Sequence, residues 1–89
     1  MKGIIYKYPI KITEEPTYLE LPLDARFLSA IEQNNKIIAY VQQSIDLMHK
    51  AQYMVRIVGT GQVFDTYMWV FFATVKQGSF VWHLYWKRV

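Results

Sequence analysis

The 89 residues include no cysteine, so packing alone must hold what is at most one small domain, and disulfide staples and cysteine-based zinc sites are excluded. The formal charge is +3 and unevenly placed: residues 1–11 carry Lys2, Lys7 and Lys11, residues 70–89 carry Lys76, Lys87 and Arg88, and neither end carries an acid. Seven Tyr, five Phe and three Trp enlarge a small core, and the same residue types are enriched at interfaces.

Residues 1–12 do not read as a secretory signal, because Lys7 and Lys11 interrupt the apolar residues and no small-residue cleavage pattern follows. Residues 4–12 alternate loosely and favour β structure. Pro9 cannot donate to a ladder, which confines this strand to a sheet edge, a bulge or a strand-end bend. Pro16 and Pro22 bracket TYLEL, where Tyr18 and Glu20 alternate with Thr17, Leu19 and Leu21 as in a short strand. Residues 23–33 read two ways. Leu23, Phe27 and Ile31 recur at helical spacing, yet Phe27 and Ile31 also share one face of a strand. Asn34 and Asn35 tolerate left-handed backbone, so a hairpin of 27–33 with 36–42 is expected. Left at an edge, strand 36–42 would offer a pairing surface.

The segment QQSIDLMHKAQY at 42–53 lacks strand character, and Ser44 suits a helix cap; a one- or two-turn helix or an exposed excursion is expected. Residues 53–58 resume as a strand, with Val55 and Ile57 on one side and Met54, Arg56 and Val58 on the other. The next strand is placed at 67–77, with Tyr67, Trp69, Phe71, Ala73 and Val75 sharing a face. Its apolar run, residues 67–75, is too short to cross a bilayer as a helix, and no membrane partner is assigned. After a turn at Gly78, FVWHLYWK sets Phe80, Trp82, Leu84 and Trp86 against Val81, His83, Tyr85 and Lys87. With no βαβ rhythm, residues 1–89 form a single mainly β domain. It is a small antiparallel β-sandwich or partly open barrel of about six strands, with at most a short helix.

RIVGTGQVFD, residues 56–65, tests for a phosphate loop and fails. No lysine follows the glycines, and the third glycine of a dinucleotide fingerprint is replaced by Phe64. Gly59 and Gly61 read as a turn or bulge after strand 53–58. The functional reading of the same stretch is an anion held by Arg56 and the backbone around Gly59, Thr60 and Gly61. His49 and His83 have no nucleophile motif to serve, and Ser29, Ser44 and Ser79 lack an elbow sequence. Asp24, Asp46 and Asp65 lack metal-ligand spacing, and the adjacent Glu14 and Glu15 would diverge on a strand. No catalytic residue, metal or cofactor is assigned, and the chain reads as non-enzymatic.

Both faces of the last hairpin are apolar. One fills the core; the other needs a cover, whether a second sheet, a loop, a twin subunit or a protein target. Tyr67, Trp69, Trp82, Tyr85 and Trp86 are the candidate protein contacts, in a complex with another protein or in a homo-oligomer. The alternative is nucleic acid or a cyclic nucleotide. Lys2, Lys7, Lys76, Lys87 and Arg88 would contact phosphate, provided the two basic ends meet.

IIYKYPIKIT, LELP, LSAIEQNNK, RIVGTGQ and GSFVWHLYW, in this order and over nearly the whole chain, resemble the pattern of a small family of tailed-bacteriophage and prophage proteins. The chain departs from that pattern at Asn35, where the family often has glycine. It departs again at QQSIDLMHKAQ, which replaces a proline-bearing segment, and in the heavier aromatic run MWVFF. The resemblance implies a strand at 27–33 and a phage product working in the host cytoplasm. It implies no catalytic residues. The expected function is a non-enzymatic accessory protein that binds a host protein, as an inhibitor of a bacterial enzyme or defence system. A virion-associated structural role is a further reading.

Overall fold

The computed structural model describes residues 2–45 and 49–89. These residues form seven strands and no helix: β1 (Gly3–Ile10), β2 (Thr17–Pro22), β3 (Arg26–Gln33), β4 (Lys36–Ser44), β5 (Lys50–Gly59), β6 (Val70–Gln77) and β7 (Phe80–Arg88). Every pairing is antiparallel, in a three-stranded sheet of order β1-β4-β3 and a four-stranded sheet of order β2-β5-β7-β6. The two sheets pack face to face as a small β-sandwich, and neither closes into a barrel.

Local chemistry explains most of the strand ends. Asn34 and Asn35 both take positive φ, 52° and 64°, which turns β3 into β4 with Gln33 opposite Lys36. The ambiguous stretch 23–33 therefore resolves into a turn followed by strand β3. Pro9 sits on β1, an edge strand, as its missing donor requires. Gly78, at φ 59°, turns β6 into β7.

Two sequence expectations fail here, and the edge condition set for strand 36–42 is not met. Gln42–Ser44 belongs to β4 and Lys50–Tyr53 to β5, so most of the expected helix or excursion is strand; residues 46–48 lie outside the described residues. Ladder pairing, on both sides at Gln42 and on one side at Gln43 and Gln52, overrides the weak β propensity of these glutamines. Strand 36–42 is not an edge, because β4 is the centre of its sheet. The strand expected at 67–77 begins only at Val70, and its faces do not alternate as read. A bulge lies between Phe71 and Ala73: Phe71 pairs with Tyr85 while Ala73 pairs with Leu84. Phe71 therefore points away from the core, and Phe72 packs into it.

A second bulge, between Phe27 and Ser29, bends β3 where it runs beside β6 at one edge of the sandwich. The two bulges bring Phe27 and Phe72 to 5.2 Å between ring centroids and help close that edge. Ile37, Ala39, Val55, Ile57 and Leu84 are buried between the sheets, joined by Leu21, Val41 and Tyr53 towards one end. Fully burying a side chain such as Leu84 stabilises by about 1.5–3 kcal/mol. Phe27 and Trp86 touch both groups, stacked at 5.2 Å with an interplanar angle of 17°. The buried Tyr53 hydroxyl is satisfied, donating towards the carbonyls of Pro22 and Leu23.

Candidate functional site

The site follows from strand order. β5 and β6 flank β7, and both run antiparallel to it, so they are parallel to each other. β5 ends at Gly59 opposite Trp82, whereas β6 begins at Val70 opposite Trp86. Residues 60–69 must therefore travel back along the sheet to start β6. They lie over its outer face, where Arg56, Tyr85 and Lys87 project.

Side chains pin this crossover down. The Arg56 guanidinium lies 5.4 Å from the Phe64 ring and 5.2 Å from the Trp69 ring, and Lys87 Nζ lies 4.7 Å from Trp69. Tyr85 is flanked by Phe64 at 5.0 Å and Phe71 at 5.6 Å. Cation–π contacts are worth about 0.5–1 kcal/mol when exposed and ~2 when desolvated. Arg56 Nε is buried without a hydrogen-bond partner, so the rings, rather than an acceptor, hold the buried end of this group. The loop backbone is fixed as well. The Tyr67 N–H donates to Asp65 Oδ1 at 3.0 Å and the Trp69 N–H to the Thr66 carbonyl at 3.2 Å. Met68 takes φ 66°, a conformation uncommon for its residue type. Outward from this pinned base stand Val63, 95% exposed, Tyr67, 73%, and Met68, 66%.

The Gly-Thr-Gly stretch is a turn in which the Gly59 and Thr60 amides already have acceptors. The Gly59 N–H donates to Gln62 Oε1, the Thr60 N–H to the Val81 carbonyl and the Gln62 N–H to the Gly59 carbonyl. A Cβ on Gly59 would meet Trp82 Cζ3 at 3.4 Å, and Gly61 has φ 88°. The anion reading of Arg56, Gly59, Thr60 and Gly61 loses support at three of its four residues: the guanidinium is held by rings, and the Gly59 and Thr60 amides have internal acceptors. Gly61→Ala should cost about 1–2 kcal/mol from the forced left-handed backbone. A thermal melt would then shift down by roughly 4–8 °C per kcal/mol.

Thr60 has a different task. Its Oγ1 is 2.8 Å from His83 Nε2, and Thr74 Oγ1 is 3.0 Å from His83 Nδ1. Both ring nitrogens are engaged, so His83 ties the start of the crossover to β6 and β7.

The expected contact residues divide. Tyr67 and Trp69 lie in the crossover rather than on a strand, and Tyr85 lies beneath it. Trp86 faces inward, against Phe27 and Tyr53, and is a core residue. Trp82 also faces the inner side. It stacks on Phe80 at 5.5 Å and donates to Gln77 Oε1, while Gln77 Nε2 donates to the Asn35 carbonyl. Trp82 thus links the two hairpin turns at one end of the sandwich, beside a 260 Å³ opening lined by Ile12, Glu14 and Gln62 among others.

Lys7 does not share a patch with Lys76 and Lys87. Lys7 is on the outer face of the three-stranded sheet, and Lys76 and Lys87 are on the outer face of the other sheet, across the sandwich. Lys2 precedes β1 and Arg88 ends β7, again on different sheets.

A family model described as a domain of unknown function, DUF7352, matches residues 1–89. The chain belongs to the DUF7352 family. No curated protein and no solved structure matches it. Among the described residues of this DUF7352 domain, no helix is long and apolar enough to cross a membrane. Sequence reasoning missed Val63, Phe64, Met68 and Phe71 as parts of one surface. The usable signal was Asp65, whose side chain caps the turn that ends the apparent strand before Val70.

Proposed function

We propose that this DUF7352 domain is a non-enzymatic protein-binding module, and that Val63, Tyr67, Met68 and Phe71 form its contact ridge. The observation that supports this most directly is an apolar ridge held rigid from below. Cation–π contacts from Arg56 and Lys87 fix the loop, while Val63, Tyr67 and Met68 stand in solvent. A preorganised loop loses less entropy on binding, and exposed apolar groups of this size gain most from a partner's pocket. Strain at Met68 fits the same role, since unusual backbone concentrates at working sites. The phage resemblance supports a bacterial host protein as the partner and inhibition as the outcome. The alternative, nucleic acid or nucleotide binding, is weakened by the separation of Lys7 from Lys76 and Lys87.

The test is affinity capture from bacterial lysate, with and without nuclease, using the natural chain and a Tyr67→Ser/Met68→Asn variant. Asn tolerates positive φ, so this variant keeps the fold while removing apolar surface. One host protein should be recovered regardless of nuclease and drop at least tenfold with the variant. Nuclease-sensitive recovery, or equal recovery by both baits, would overturn the proposal.

A further inference from the structure

The outer face of the three-stranded sheet carries a second pattern, independent of the ridge. Register places its side chains in rows across the strands. Ile5, Gln42 and Arg26 form one row; Lys7, Tyr40 and Ser29 the next; Pro9, Ile38 and Ile31 the third; Lys36 and Gln33 close it at the hairpin. Leu28, the bulged residue, joins the second row. Ile5 is 55% exposed, and Leu28 and Ile31 are each 40% exposed. Ile38 is sheltered between its row neighbours Pro9 and Ile31.

Every charge in these rows is positive: Lys7, Arg26 and Lys36. The acids nearest in sequence are turned to other work. A Glu32 carboxylate oxygen accepts the Asn35 N–H at the turn, and Asp24 accepts the Ser44 N–H beyond the opposite end of the sheet. Beside the hairpin the face runs into a 350 Å³ cleft whose lining includes Pro9, Lys11, Ile12 and Lys36 and no carboxylate.

We infer that this face docks an acidic protein segment, whose carboxylates meet Lys7, Arg26 and Lys36 and whose apolar side chains cover Ile5, Leu28 and Ile31. Charge selects the partner. A second copy of the chain stacked on this face would set cations against cations, which disfavours self-pairing. Nucleic acid fits less well, because base stacking needs exposed rings and the exposed apolar groups here are aliphatic, the one ring, Tyr40, being half-buried between its neighbours. An extended segment repeats its side chains about every 7 Å along one face, the spacing of the rows beneath it. This surface lies across the sandwich from the ridge, so either can fail without the other.

The experiment is an NMR titration of the ¹⁵N-labelled chain with a short peptide of alternating Glu and Leu. Oligothymidylate and phosphatidylglycerol vesicles are titrated in parallel. The peptide should shift the amides of Ile5, Lys7, Ile31, Ile38 and Tyr40. A Lys7→Glu/Lys36→Glu variant, shown folded by its spectral dispersion, should bind about tenfold more weakly, with Lys7→Arg/Lys36→Arg and Met68→Asn near the natural affinity. The inference is overturned if the peptide shifts none of these amides. It is also overturned if charge reversal leaves its affinity unchanged, or if oligothymidylate or vesicles shift the same amides at lower concentration.

Discussion

Trp86→Ala should lower the unfolding free energy by about 3 kcal/mol, whereas Tyr67→Ala should leave it within about 0.5 kcal/mol. Both residues are large aromatics of the same apparent strand-rich region, and the sandwich gives them opposite tasks. Trp86 stacks on Phe27, leans on Tyr53 and joins both halves of the buried core. Removing it leaves a hole between two sheets whose backbones are fixed by ladders and cannot collapse into it. A chain of this size has only about 5–10 kcal/mol of stability, so the loss is a large part of the total. Tyr67 is 73% exposed and belongs to neither buried cluster. Denaturant titrations of the two variants check this directly. Equal midpoints would mean that Trp86 is not part of the structural core; a large loss in Tyr67→Ala would mean that the ridge belongs to the fold.

Arg56→Met should loosen the crossover and cost about 1 kcal/mol net. Two opposed terms set that value. The guanidinium contacts with Phe64 and Trp69 contribute about 0.5–2 kcal/mol each. Against this, methionine removes a buried Nε that has no partner, and relieving an unsatisfied donor returns about 1–3 kcal/mol. The ring contacts win because there are two of them and Phe64 also rests on Tyr85, so that the loop moves as a unit. Hydrogen exchange at the Trp69 N–H, bonded to the Thr66 carbonyl, should accelerate, and capture of the partner should fall with it. An unchanged exchange rate would show that apolar packing, not the cation, holds the ridge.

Most of the strands, the hairpin turns and the shared face of Trp82, Leu84 and Trp86 were legible because they rest on local rules, while the choice of that face as the inward one was not. Alternation fixes which side of a strand is apolar, and Asn34, Asn35 and Gly78 supply the backbone that two tight turns need. The same rules misplaced residues 67–69. Tyr67, Trp69 and Phe71 alternate like one strand face, but Met68 at positive φ breaks the first part and the bulge after Phe71 shifts the second. Asp65, whose carboxylate accepts the Tyr67 N–H, is the one local hint against a strand at 67–69; the bulge after Phe71 leaves none, because it is enforced from elsewhere in the fold.

By itself, then, the sequence determined a cysteine-free, all-antiparallel β domain and two of its hairpins, since propensity, periodicity and turn chemistry act over a few neighbouring residues. Only the tertiary structure decided where the aromatic surplus goes. Setting β7 between β5 and β6 makes those two strands parallel and forces residues 60–69 across the sheet. That crossover brings Arg56, Phe64, Trp69, Tyr85 and Lys87 together from three separate segments, while Trp86 is drawn into the core and Lys7 is parted from Lys76 and Lys87 onto the opposite face. Strand order is a property of long-range pairing, and no window of neighbouring residues contains it.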